Sequence, residues 1–183
     1  MKRRTLMLGL AALPLAATAP AAWAQSDEGW ETVVGADLRF RLEMPSPVAK
    51  STAEKEQGHA APRVAYESKR ANQMFDFDYV DYEPSWFAGR DGKEIARMLG
   101  RGEAEKAFPL AKFKYVRDEP VTLQGWDGYA LDIEGEDGGL VMMRTYLVKD
   151  RLYRLLTTAQ ADMRTRSAAL RFIDSLRLAE TKQ

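Results

Sequence analysis

The sequence predicts an α+β domain: an antiparallel sheet of about six strands with helices packed on its faces. Three observations predict it. Residues 125–160 alternate extended apolar runs with tight polar turns. Residues 162–178 then change to helical spacing. Each helical pattern also follows a block of strands, which is the order of an α+β chain and not of a wound parallel sheet.

The last third carries the clearest signals. Glu136-Asp137-Gly138-Gly139 separates two runs rich in β-branched, aromatic and aliphatic residues. Glycine adopts positive φ without steric cost, so Asp-Gly-Gly marks a hairpin. Lys149-Asp150-Arg151 marks a second tight turn, and three consecutive antiparallel strands result. The middle run, 140–148, is apolar on both sides except at Arg144 and Thr145, as suits a strand covered on both faces. Met142 and Met143 are adjacent in it, face opposite sides and cannot chelate a soft metal together. After Gln160, Ala169, Phe172, Ile173 and Leu176 recur at helical spacing. Asp162 is placed to accept from the free N–H groups of the first turn.

The amino terminus reads as an address. Lys2-Arg3-Arg4 precedes an apolar run to about residue 22, broken by Pro14 and Pro20. Ala22-Trp23-Ala24 has the small residues that a signal peptidase inspects, so cleavage is expected after Ala24. Arg3-Arg4 partly matches a twin-arginine leader, and general secretion serves equally well. The prolines and the short apolar core argue against an uncleaved anchor. No cysteine follows the run, which excludes a bacterial lipoprotein. The organisation expected is a signal peptide at 1–24, a flexible segment at 25–36 and a single α+β domain at 37–180.

Composition narrows the function. Three of the 27 basic residues lie in the leader, so 24 remain against 27 acidic ones. That balance gives no electrostatic support for nucleic-acid binding. Cysteine is absent, so neither disulfides nor thiolate chemistry is available. The mature chain is expected to lack a membrane span.

The remaining elements follow in order. Residues 38–44 alternate apolar and charged side chains, a half-buried strand ended by Pro45 and Pro47. Residues 50–61 read as a long polar loop, and 63–69 as a short strand. In the strand at 73–82, Phe75, Phe77 and Tyr79 point one way while Asp76, Asp78 and Val80 point the other. Asp91 with Glu94 opens a helix whose apolar face is Ile95, Met98 and Leu99. Gly100 and Gly102 are expected to break or kink it. Residues 115–123 form a strand in which Pro120 marks an edge or a bulge. Gly125-Trp126-Asp127-Gly128 turns into the meander.

Candidate site residues are few. His59 is the only histidine, and its simplest reading is a solvated loop residue. Asp76 and Asp78 share a strand face and can both meet a hard cation. The spacing lacks the glycine turn and final glutamate of a calcium loop, so a solvated face is the simpler reading. Tyr82, Trp86, Phe87 and Trp126 combine apolar area with, in three cases, a polar handle. They suit either a partner-binding surface or the helix–sheet core. No arrangement of catalytic groups stands out, so no enzyme activity and no cofactor are expected.

Several segments resemble one known group. They are Arg90-Asp91-Gly92, Leu123-Gln124-Gly125-Trp126-Asp127-Gly128-Tyr129, the hairpin from Arg144 to Tyr153, and Arg171-Phe172-Ile173-Asp174-Ser175-Leu176. The pattern resembles exported bacterial proteins of unknown function. The resemblance spans roughly residues 38–178 and is most specific at the last hairpin and helix. The group commonly has Pro-Gly-Arg-Glu where this chain has Trp126-Asp127-Gly128-Tyr129. The resemblance implies a PsbP-like α/β/α sandwich that serves as a binding scaffold. Two readings of function follow. One is a non-catalytic periplasmic or secreted module for an envelope protein partner, using Tyr82, Trp86, Phe87 and Trp126. The other is a small-molecule or metal-ion binding protein using the Asp76/Asp78 face or the Trp86/Phe87 loop.

Overall fold

The computed structural model describes residues 29–182. The expected signal peptide lies outside the described residues, as do positions 25–28. The α+β class is as the sequence predicts. Ten strands and two helices are present among the described residues, in place of about six strands.

Seven strands form one antiparallel sheet in the order β3(Ala49–Thr52), β4(Val64–Arg70), β5(Gln73–Asp81), β9(Arg151–Ala159), β8(Leu140–Val148), β7(Trp126–Glu134), β6(Lys114–Leu123). The meander is its interior, and Leu147 pairs with Leu152 across the Lys149-Asp150 turn. Three further strands form a small sheet in the order β1(Trp30–Val34), β2(Phe40–Pro45), β10(Arg177–Leu178). Helix α1(Gly92–Ala107) covers one face of the large sheet. Helix α2(Met163–Ser175) and the small sheet cover the other.

Alternation decides which residues meet which cover. Phe75, Phe77 and Tyr79 of β5 and Tyr153 and Leu155 of β9 pack beneath Phe40, Leu42 and Met44 of β2 and Phe172 and Ile173 of α2. Most of their rings are edge-on or tilted, and Phe40 and Phe77 lie 4.7 Å apart, while Phe77 and Tyr153 are stacked. Each such burial contributes about 1.5–3 kcal/mol. Opposite them, Tyr129, Leu131, Ile133 and Met143 pack on Ala96 and Ala104 of α1. Asp162 caps α2 by accepting from Thr165 N at 2.9 Å. Asp91 caps α1 in the same way, from Lys93 N and Glu94 N.

Several expectations need correction. Trp30–Val34 falls within the segment at 25–36 that the sequence marks as flexible, and it pairs with β2 as a strand. Only Val33 of that strand is buried, so its apolar pattern is faint. Residues 50–52, expected within a long loop, belong to the edge strand Ala49–Thr52, whose four residues are all exposed and which pairs with β4 through its backbone. The turn before β7 is Gln124-Gly125, both at positive φ, which leaves Trp126–Gly128 in the strand. Pro120 lies in the edge strand β6, as predicted.

Helix α1 does not break at its glycines. Its buried residues are Ile95, Ala96, Gly100 and Ala104, while Met98 is exposed. A Cβ at Gly100 would stand 2.8 Å from Thr145 Oγ1, so the glycine allows the helix to approach β8. Gly102 faces open space. Gly102→Ala should therefore raise stability by about 0.5–1 kcal/mol through backbone entropy. Gly100→Ala has the same helical advantage but overpacks a buried contact, and should destabilise by about 1 kcal/mol or more. Urea denaturation of the two variants checks this; a stabilised Gly100→Ala would show that α1 stands further from the sheet.

Candidate functional site

Three of the four aromatic candidates come together where β5 ends. The backbone there is strapped on several sides. Ala60 N donates to Asp81 O, Tyr82 N to Asp150 O, and Glu83 N to Gly58 O. Tyr82 is buried, with His59 4.8 Å away on one side and Phe87 4.9 Å away on another. His59 is thus a buried residue bridged to Tyr82, not a solvated loop histidine, and its Nδ1 has no hydrogen-bond partner among the described residues. The strapped segment before β4 carries it under the tyrosine, which the local sequence does not reveal.

Trp86 ends a single 3-10 turn, Pro84–Trp86. Its amide donates to Glu83 O at 2.9 Å. Its ring lies 5.9 Å from that of Tyr82 and rests directly on Gly58, where any side chain would collide with the indole. The residue nevertheless remains 44% exposed. Phe87 packs beside Leu99 against Val80, Ile95, Leu147 and Leu152. It also lines an open hollow of about 410 Å³ with Pro84, Ala88, Lys149 and Asp150. The loop therefore presents one fixed aromatic side chain next to a shallow concavity.

Trp126 is not part of this group. It packs with the cluster under α2, on the opposite face of the sheet. Its Nε1 donates to Glu180 O at 3.3 Å, and Lys182 Nζ sits 5.8 Å from its ring. Gln124 next to it exchanges hydrogen bonds with Leu178. Trp126 thus clamps the C-terminal segment.

Asp76 and Asp78 share a face, as predicted, but that face is largely covered, with Asp78 buried and Asp76 half-buried. The face meets the edge of α1. Asp78 is 4% exposed and accepts from Arg154 Nε at 2.9 Å and Nη2 at 2.5 Å. Arg154 Nη1 pairs with Glu103 of α1, and Arg63 approaches the same glutamate at 3.7 Å. The Asp76 carboxylate makes no hydrogen bond or ion pair among the described residues, although its backbone pairs in the sheet. Burial first, and then the charge of Asp78, push its carboxyl up to about 6. A hard cation needs several oxygen ligands. Asp78 is already committed to Arg154, and no group of three or more metal-ligating side chains occurs among the described residues.

Sequence reasoning missed the buried arginine on the other face. Arg151 forks onto Asp81 at 2.5 and 2.7 Å and reaches Asp37 at 2.6 Å. Its guanidinium stacks 4.4 Å from the ring of Tyr79. The signal was present as a single arginine beside a turn, but its partners are remote in sequence.

The state of Asp76 has a consequence for stability. Its proton affinity is higher folded than unfolded, so the folded chain binds the extra proton between the ordinary aspartate range and about 6. The penalty is fully present above that window and is relieved as pH falls through it. Asp76→Asn should therefore stabilise the protein by about 1–3 kcal/mol near neutral pH, with the gain vanishing near pH ~4. Denaturant titrations of both proteins across this range check it. A variant less stable at neutral pH would mean that Asp76 draws net stability from Arg154.

No family model matches the chain, and no curated protein sequence matches it significantly. Solved structures do match. LpqN of Mycobacterium tuberculosis, involved in cell envelope biogenesis, has 15% identity and a TM-score of 0.44 over 82% of this chain and 91% of that one. A protein of unknown function from Pseudomonas aeruginosa has 15% identity and a TM-score of 0.38, covering 76% and 90%. The cyanobacterial PsbP protein (CyanoP) of Synechocystis has 7% identity and a TM-score of 0.55 over 82% of this chain and 92% of that one. The fold of this chain is PsbP-like.

Proposed function

We propose that the chain is a non-catalytic exported module that binds a protein partner of the cell envelope through the loop at 84–88, with Trp86 as its anchor. One observation carries the reading: Trp86 is almost half exposed, yet its ring is fixed between Tyr82 and Gly58. Ordering a large side chain normally costs free energy on binding, and here that ordering already exists in the free protein. Rigid, partly exposed tryptophans beside a concavity are the residues from which interface hot spots are made. The hollow next to Phe87 and the charges of Lys149 and Asp150 provide the shape and the polar rim. Tyr82 supports the anchor from below. The arginine-containing leader and the Ala22-Trp23-Ala24 site support export with cleavage after Ala24.

The test places a photo-crosslinking amino acid at Ser85 in living cells and compares the adducts with and without Trp86→Ala. Trp86→Ala should cost the fold no more than about 2 kcal/mol, because the side chain is only partly buried. It should weaken the partner complex by about 30-fold or more, the loss of a hot spot. One dominant adduct in the exported fraction, lost in the variant, is the expected result. An unchanged adduct pattern, or a variant that unfolds, would refute the anchor assignment.

A further inference from the structure

Beside the C-terminal half of α1 the helix and the sheet leave a cleft of about 270 Å³. Phe108, Met143 and Leu156 give it apolar walls, and Met74 stands at its edge strand side. Asp76, Glu103 and Arg154 bring charge to it. Arg154 is engaged by other carboxylates, with Asp78 on its Nε and Nη2 and Glu103 on its Nη1. Arg63 adds a second cation on the far side of Glu103. Arg154 and Arg63 thus face Asp76, Asp78 and Glu103, with Glu67 of β4 exposed beside Asp76. Asp76 is the carboxylate left over, half-buried and without a donor among the described residues.

We propose that this cleft binds an organic monocation, a primary or secondary amine on a short apolar body. Its ammonium rests on Asp76 and its apolar part between Phe108, Met143 and Leu156. Each feature of the ligand answers a feature of the cleft. The positive charge matches the Asp76 carboxylate, which no cation contacts among the described residues. An N–H donor supplies what Asp76 lacks, and a hydrogen bond to a charged group is stronger than one between neutral groups. The walls offer thioether, aliphatic and aromatic surface, which disfavours a hydrated metal ion. The volume lies just below the usual range for small-ligand pockets, about 300–1,000 Å³, so the ligand is small. Around Asp76 the charged groups are Asp78 on its own strand, Glu67 on β4, Arg63 before β4, Arg154 on β9 and Glu103 on α1. Burial and the neighbouring Asp78 hold its carboxyl at about 6, so a bound ammonium has a ready source of stabilisation at neutral pH.

Titration of the purified protein with hexylammonium, hexanol and hexanoate, followed by amide chemical shifts, tests the proposal. Hexylammonium should bind and should shift the amides of Ala104, Ala107 and Phe108. The alcohol and the carboxylate should bind at least about tenfold more weakly. Asp76→Asn should weaken hexylammonium about tenfold while the fold remains, and the same loss should follow acidification of the wild type to about pH 5. Ala107→Trp, which fills the cleft from an exposed helix position and leaves every charge in place, should also abolish binding. Trp86→Ala should leave the titration unchanged, because the cleft and the Trp86 loop lie at different places on the fold. Equal binding of hexanol, undiminished binding by Asp76→Asn, or no shift with any of the three probes would overturn the proposal.

Discussion

Strict alternation along β5 is the constraint on which the rest depends. The strand carries Phe75, Phe77 and Tyr79 on one face, and these must be buried. Side chains alternate with a period of two, so the same strand necessarily directs Asp76 and Asp78 at the opposite face. A one-residue slip would exchange the two sets and bury the carboxylates in the aromatic core. The pairing of β5 with β9 is therefore fixed, and Arg154 comes to stand directly across from Asp78. Unpaired, the buried Asp78 would be costly; paired with Arg154, it locks the register of the two strands.

The two covers meet this sheet in different ways. The small sheet and α2 cover the aromatic face with large side chains and rings at tilted angles. Arg151, held by Asp81 and Asp37 and stacked on Tyr79, ties the segment before β2 to that face. Helix α1 reaches the opposite face through alanines and a glycine, so its backbone lies close to β7 and β8. Charges flank it: Arg101 meets Asp118 and Glu105 on one side, and Glu103 meets Arg154 on the other. The helix is short of apolar bulk near its C-terminal half, which is where the cleft beside Asp76 opens.

The parts of this architecture that can be read from the residues are those with strong local periodicity. The meander, the α2 stripe of Ala169, Phe172 and Ile173, and both aspartate caps are of this kind. The missing strands are weakly patterned: β1 buries only Val33, β3 buries nothing, and β10 is two residues long. The packing face of α1 is concealed because Ala96, Gly100 and Ala104 have little hydropathy, while the more apolar Met98 faces outward. For the candidate sites, Trp86 as an aromatic candidate and the shared face of Asp76 and Asp78 are visible in sequence, whereas the exposure of Trp86 is set by the fold. The burial of that face is not, because α1 and Arg154 arrive from remote segments. His59 is hidden for the same reason, since Tyr82 and the straps around it come from another part of the chain.

The carboxylate face of β5 packs against the edge of α1, with Asp78 buried and the half-buried Asp76 carboxylate unpaired among the described residues. A carbon-detected NMR titration of the Asp76 side-chain carboxyl probes this arrangement, and a midpoint of about 6 is expected. A midpoint near the ordinary aspartate value of about 3.9 would contradict it, because it would mean that Asp76 is solvated or compensated and that the face is open to water.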